Sequence, residues 1–289
     1  MTIATIDIGG TGIKFASLTP DGKILDKAST ATPETLEELL AWLDQRLSER
    51  DYRGIAMSVP GAVHQETGVI EGISAIPYIH GFSWYEALAH HKLPIHLEND
   101  ANCVGLSELL AHPEIENAAC VVIGTGIGGA MIINGKLHRG RHGLGGEFGY
   151  MTTIEPAEKL NNWSQLASTG NMVRYVIEKS GQSDWDGRKV YQEAAAGNAL
   201  CQEAIERMNR NLAQGLLNIQ YLIDPDVISL GGSISQNPDF IKGVQKAVDA
   251  FVDRYEEYTI APVIQACTYQ ADANLYGALV NWLQEENQW

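Results

Sequence analysis

Two glycine-rich turns carry the most suggestive chemistry in this chain: Asp7-Ile-Gly-Gly-Thr-Gly-Ile-Lys14 and Ile123-Gly-Thr-Gly-Ile-Gly-Gly129. Glycine lets backbone N–H groups approach phosphate oxygens without a Cβ in the way. Gly9, Gly10 and Thr11 in the first turn, and Gly124, Thr125 and Gly126 in the second, are therefore candidates for holding a polyphosphate. Thr11 adds a hydroxyl, and Asp7 ends a strand where a carboxylate can hold Mg²⁺ through water. Lys14 suits either a phosphate contact or an ion pair. Neither turn is a Walker loop, because no GxxxxGK[ST] occurs. The second spells GxGxxG, with Glu147 about 20 residues on, where a ribose-binding acid would stand. A dinucleotide site needs that motif to open a helix, and Ala130-Met-Ile-Ile-Asn-Gly135 reads instead as strand and hairpin turn. A ligand-free glycine turn is the plain alternative.

Asp100 follows a strand and opens a helix, a position that faces the ligand crevice of open α/β sheets. A carboxylate there can orient a hydroxyl and take its proton during phosphoryl transfer. The competing role is an N-cap, worth about 1 kcal/mol. Asn99 beside it reads as a loop-capping amide. Glu147 lies in Gly143-Leu-Gly-Gly-Glu-Phe-Gly149, a stretch able to fold tightly on a ligand. Gly231-Gly232-Ser233 reads as a strand-to-helix turn.

The elements that must position these groups alternate between strand and helix. Residues 2–8, 13–18 and 23–29 read as strands, with Asp21-Gly22 as a hairpin turn. Thr32-Pro33 should open a helix with Thr32 as N-cap. Strands follow at 54–59 and 94–97, and a capping box Ser83-x-x-Glu86 opens a short helix. Strand, glycine turn, strand and Asx-Gly turn then recur over 118–135, an architectural repeat of residues 2–29. A long amphipathic helix at 198–223 stops at Asp224-Pro225. A strand at 227–230, a helix near 238–255, a strand near 262–268 and a final helix from about residue 272 complete the pattern.

The chain has 289 residues, 45% of them hydrophobic, enough for one large or two medium domains. A net charge of −16 disfavours nucleic acid and anionic membrane as partners. Cys103, Cys120, Cys201 and Cys267 form no CxxC pair, which points to reduced, buried thiols. No basic leader or long apolar run is present, so a cytoplasmic protein is expected.

Taken in order, Asp7-x-Gly-Gly-Thr-x-x-Lys14, Glu98-Asn-Asp-Ala-Asn102, the Gly124–Gly129 turn, Gly145-Gly-Glu-Phe-Gly149 and Leu230-Gly-Gly-Ser233 resemble the ROK family of repressors and sugar kinases. The resemblance covers essentially the whole chain. It implies an α/β fold of two actin-like (ribonuclease H-like) lobes with an interlobe cleft. The expected division is 1–99, with a C-terminal helix at 272–289 packing back on it, and 100–271. It implies an ATP-dependent sugar kinase using Mg²⁺, in which Asp100 is the base. Asp7, Gly9, Gly10, Thr11, Lys14, Gly124, Thr125, Gly126, Gly231 and Gly232 would hold the nucleotide. Gly61, Asn99, Asp100 and Glu147 would hold the sugar, and the protein would pair as a homodimer.

Three departures from the family pattern matter. Tyr150 stands where a histidine is usual. Ser164 stands where a glutamate four residues before Ser168 is usual, though it also looks like a helix N-cap. Both are taken as substrate contacts, altered at the end that reads C1 and C2 of a sugar. Cysteines of the family's zinc loop are missing, and the short Met151–Asn162 segment should carry no zinc. A glycoside, disaccharide or amino sugar would suit the changed pocket, with Tyr78, Trp84, Trp163 and Tyr150 as stacking candidates or core. The histidines show no metal spacing. The rivals are a repressor, for which a helix-turn-helix before the first strand is expected and lacking, and a non-catalytic sugar sensor.

Overall fold

The computed structural model describes residues 2–153, 161–254, 257 and 260–289. The chain divides into two compact units, Met1–Glu114 with Arg139–Leu144 and Ala271–Trp289, and Ile115–His138 with Gly145–Gln270.

The first unit opens with β1 (Ile3–Ile8), β2 (Gly12–Leu18) and β3 (Ile24–Ala31), joined as an antiparallel meander. Helix α1 (Leu36–Ser48) follows. Its N-cap is Thr35, whose side chain accepts from the Glu38 N–H, so the expected cap at Thr32 is displaced by three residues. Thr32 instead donates its hydroxyl to the Gly9 carbonyl. Next come β4 (Gly54–Val59), the hairpin β5 (Ala62–His64) and β6 (Val69–Glu71), α2 (Trp84–Ala87) capped by Ser83, β7 (Ile95–Asn99) and α3 (Asp100–Ala111). β4 joins the sheet parallel to β1, and β7 parallel to β4, giving the order β3-β2-β1-β4-β7. β1 and β4 are buried at every position, as expected of central strands covered on both faces.

The second unit repeats this plan. β8 (Ala118–Ile123), β9 (Ile127–Ile133) and β10 (Lys136–Leu137) form the meander. The small pair β11 (Thr152–Thr153) and β12 (Asn161–Asn162) leads to α4 (Trp163–Ala167), α5 (Thr169–Ser180), α6 (Gly187–Ala195) and α7 (Ala199–Ile223). Then come β13 (Val227–Gly231), α8 (Pro238–Val252) and β14 (Ile264–Ala266). The order β10-β9-β8-β13-β14 matches the first sheet strand for strand, with β13 parallel to β8 and β14 parallel to β13. The repeat legible in the glycine turns is therefore a repeat of whole sheets. Residues 154–160, the centre of the segment expected to lack zinc, lie outside the described residues, as does Tyr255 at the expected end of α8.

Helix α9 (Ala273–Glu285) belongs to the first unit, as does α3, which the sequence division had begun the second lobe with. The reason is packing. Cys103 of α3 and Leu275, Ala278, Leu279 and Trp282 of α9 share one buried cluster with Ile3, Ala16 and Ala56 of the sheet. The helices meet at Gly277, where a Cβ would stand 1.7 Å from the Cys103 carbonyl oxygen. Gly277→Ala is expected to destabilise the protein by about 1–3 kcal/mol, because overpacking outweighs the roughly 1 kcal/mol of helix propensity gained. Urea denaturation read by circular dichroism checks this; equal or greater stability would show that the helices separate freely. Among the described residues, no helix is long and apolar enough to cross a membrane.

Candidate functional site

In the first unit, the meander register sets Asp7 directly opposite Lys14. Their side chains form an ion pair at 3.1 Å, and Lys14 also donates to the Ala271 carbonyl at 2.6 Å. The ion pair weighed for Lys14 is formed, with two of its three N–H groups engaged. The other Asp7 oxygen accepts from Asn274 at 2.8 Å. Between the two strands the Gly9 N–H donates to the Gly12 carbonyl at 3.1 Å, leaving Gly10 and Thr11 exposed at the tip.

β7 runs straight into α3, so Asn99 and Asp100 sit at the strand's carboxyl end. Asn99 is the N-cap: its Oδ1 accepts from the N–H groups of Ala101 at 2.9 Å and Asn102 at 3.2 Å. Its Nδ2 donates to the Gly61 carbonyl at 3.0 Å. The capping role weighed for Asp100 therefore belongs to its neighbour. Asp100 is the first helical residue, half-buried, with Oδ1 accepting from the Ala101 N–H at 2.8 Å. Burial pushes its pKa up, and the Asp7 carboxylate adds to that, while the hydrogen bonds from Ala101 and Asn99 oppose it. Asp7, Gly9, Thr11, Lys14, Asp100 and Asn274 line one cavity of about 480 Å³. The strand-end carboxylate and the glycine turn share a single space.

Beneath this pair lies a network the sequence did not disclose. Glu98, whose side chain is 3% exposed, accepts from the Asn99 N–H at 2.8 Å and from Asn102 Nδ2 at 2.9 Å. Its other oxygen accepts from Arg139 Nε at 2.6 Å. Arg139 in turn donates to Asn281 and Glu285 of α9 at 2.8 and 3.0 Å. Glu98 and Arg139 are 41 residues apart, so no local spacing pointed to the pair.

In the second unit, the Gly124–Gly126 turn closes through a Gly124 N–H to Gly126 carbonyl bond of 2.9 Å, and all three residues are exposed. The Gly170 N–H at the start of α5 donates to the Gly124 carbonyl at 3.1 Å. Ser164 is not the N-cap of its helix. The N-cap of α4 is Asn162, in a capping box with Gln165. The Ser164 hydroxyl accepts from the Ile127 N–H at 2.9 Å and donates to the Ile127 carbonyl at 3.3 Å, which ties α4 to the strand leaving the glycine turn. Phe148, buried, anchors the Gly145–Gly149 loop, leaving Glu147 half-buried and Tyr150 72% exposed. Trp84 and Trp163, considered for stacking, are fully buried core residues whose indole N–H groups bond the carbonyls of Ile79 and Asn211. Tyr78 is half-buried, and its hydroxyl donates to the Pro33 carbonyl.

Gly232 follows β13 with φ of 90°, and a Cβ there would stand 2.1 Å from the Ile123 carbonyl oxygen. Only glycine lets the chain turn so close to β8. The turn leads into a cavity of about 540 Å³ lined by Ser233, Ile234, Asn237, Thr169, Arg188 and Tyr191, among others. The Thr169 and Tyr191 hydroxyls are buried without a hydrogen-bond partner. Unpaired buried hydroxyls are costly. Two on one cavity fit a ligand with donors and acceptors, as a nucleoside has. Thr169, Arg188 and Tyr191 escaped the sequence reading because they carry no motif of their own.

The sequence matches the ROK family over residues 3–285. The chain belongs to the ROK family. Beta-glucoside kinase of Listeria monocytogenes is 35% identical over 298 aligned positions, covering 100% of this chain and 99% of its own. A crystal structure of a ROK family protein from Streptococcus pneumoniae in complex with sucrose is 88% identical, covers 100% of both chains and superposes with a TM-score of 0.97. The ROK hexokinase of Thermus thermophilus is 25% identical over 99% of this chain and 100% of its own, with a TM-score of 0.86. The α/β fold of two actin-like units, each built on the same five-stranded plan, is that of ROK sugar kinases.

Proposed function

We propose that this ROK chain is an ATP-dependent sugar kinase with Asp100 as its general base. The observation that carries the reading is the shared cavity of the first unit, where Asp100 stands with the Asp7–Gly12 turn. A phosphate held by the turn and a hydroxyl held by the carboxylate would then be neighbours. Asp100 accepts the hydroxyl proton as that oxygen bonds the γ-phosphorus, and the bond from phosphorus to the bridging oxygen of the departing ADP breaks. Gly9, Gly10 and Thr11 offer backbone and hydroxyl donors to phosphate oxygens, and in the second unit Gly124, Thr125 and Gly126 do the same. Lys14 keeps Asp7 in place and has one N–H left for phosphate. A magnesium ion held near Asp7 would neutralise phosphate charge.

Gly231 and Gly232 shape the entrance to the nucleoside cavity of the second unit. Tyr191→Phe and Thr169→Val are each expected to raise the KM for ATP about two- to tenfold, the value of one neutral hydrogen bond, with kcat little changed. Initial rates at varied ATP decide it, and an unchanged KM in both variants would place the nucleoside elsewhere.

Gly61, Asn99 and Asp100 in the first unit, and Glu147 and Tyr150 in the second, are assigned to the sugar. A glucosyl unit bearing a substituent at C1 is the proposed substrate, with its 6-hydroxyl as the acceptor. The support is threefold: the exposed Tyr150, the Ser164 hydroxyl turned to the backbone, and the sucrose and beta-glucoside named for the relatives. A coupled assay over a sugar panel should give a β-glucoside or disaccharide at least about tenfold higher kcat/KM than free glucose. Preference for glucose over every glycoside would overturn the substrate, and turnover of no sugar would overturn the kinase. A cytoplasmic location and pairing of two copies complete the proposal; the four free, buried cysteines support the first and the family resemblance the second.

A further inference from the structure

Apart from the residues assigned to catalysis, three side chains of the first unit bring ligand-type atoms together. Asp44 lies on α1, and His90 and His91 lie on the 3₁₀ turn Ala89–His91. His91 Nε2 is 2.8 Å and His90 Nε2 3.0 Å from the same oxygen, Asp44 Oδ1. The two imidazoles are 4.1 Å apart with their planes tilted by 39°. All three ligand atoms lie within 4.8 Å of one another.

Both supporting elements are anchored in the core. Leu39, Leu43 and Leu47 bury one face of α1, placing Asp44 at its margin. Leu88 is fully buried just before the turn, and Lys92, with φ of 56°, closes it by donating its N–H to the Ala89 carbonyl. The cluster is open on one side: the side chain of His91 is 16% exposed, that of His90 56%.

We propose that Asp44, His90 and His91 form a binding site for a divalent transition-metal ion of the zinc class, with the two Nε2 atoms and Oδ1 as protein ligands and water completing the shell. The proposal stands apart from the kinase assignment. With the N–H of each neutral imidazole on Nδ1, both Nε2 atoms would present lone pairs to a cation seated beside Asp44 Oδ1. Around a four-coordinate zinc with bonds of about 2.0–2.1 Å, neighbouring ligand atoms stand roughly 3.3 Å apart. The two nitrogen-to-oxygen separations, 2.8 and 3.0 Å, are a few tenths of an ångström less, a relaxation that partly exposed side chains can make. Imidazole nitrogen selects zinc, copper, nickel or cobalt over magnesium and calcium, which take oxygen ligands. The ion would join α1 to the turn that precedes β7, and it is distinct from any magnesium near Asp7.

The full-length protein, stripped with chelator and kept in excess magnesium, would be titrated with zinc by calorimetry and with cobalt by visible absorption. One ion per chain is expected, with a rise in the thermal midpoint on binding. Asp44→Ala, His90→Asn and His91→Asn should each weaken binding by at least about tenfold. His112→Asn, which removes the His112–Glu114 pair away from the cluster, should not. Metal-free circular dichroism identifies any variant that fails to fold, and the remaining variants then decide. No binding by the parent protein, or wild-type affinity and stoichiometry in the combined Asp44, His90 and His91 variant, would overturn the site.

Discussion

Asp100→Asn is expected to lower kcat by about 10²–10⁴-fold, the range lost when a positioned general base is removed. The amide keeps the shape and a carbonyl acceptor for the Ala101 N–H but cannot take a proton. Sugar and nucleotide affinity, read by calorimetry, should change little. The direction of the pKa shift adds a second signature. Because burial raises the Asp100 pKa above the ordinary 3.8, the folded protein binds that proton more tightly than the unfolded chain. The folded state therefore loses stability as pH rises from the ordinary value through the raised one, and the deficit is complete above it. Activity runs the opposite way, since the base works only when ionised. The asparagine variant should be at least as stable as the parent at neutral pH. The parent's kcat/KM should rise with pH across the raised pKa. Full turnover in Asp100→Asn would remove this residue from the chemistry.

Arg139→Met should have the largest effect on stability. It leaves the Glu98 charge 3% exposed with no cation beside it, and breaking a buried pair from one side costs about 3–5 kcal/mol. The same carboxylate accepts from the Asn99 N–H and Asn102 Nδ2, so the loss reaches the strand end that presents Asp100. A variant that still folds should therefore lose kcat more than it gains KM. Arg139→Lys restores charge without the planar fork that reaches Glu98, Asn281 and Glu285 together, and should recover only part of both. Urea denaturation and steady-state kinetics on the two variants check this. Equal stability for Arg139→Met would mean that Glu98 is satisfied by its neutral partners alone.

Features that depend on a few adjacent residues are legible in the sequence. The strand–turn–strand plan around Gly9–Gly12 and Gly124–Gly126 needs only alternating apolar residues and glycines at the bend. Sheets of identical order grew from it. Asp7, Asn99 and Asp100 could be picked out because a strand's carboxyl end followed by a helix is a local pattern. The capping roles, taken by Asn99 rather than Asp100 and by Thr35 rather than Thr32, show the limit of that precision: where the backbone enters the helix decides which side chain reaches the free N–H groups.

What the sequence by itself determined, then, was the fold, the family and the turns and strand ends where the chemistry belongs, because those are set by short-range backbone requirements. Tertiary structure alone decided which polar groups are already spent and which remain free. It gave the Ser164 hydroxyl to Ile127, sent Trp84 and Trp163 into the core, and paired Lys14 with Asp7. It also brought Arg139 to Glu98, and the unpartnered hydroxyls of Thr169 and Tyr191 to one cavity. Each of these outcomes depends on groups distant in sequence meeting at hydrogen-bond range, and only the packing of sheets and helices sets those distances.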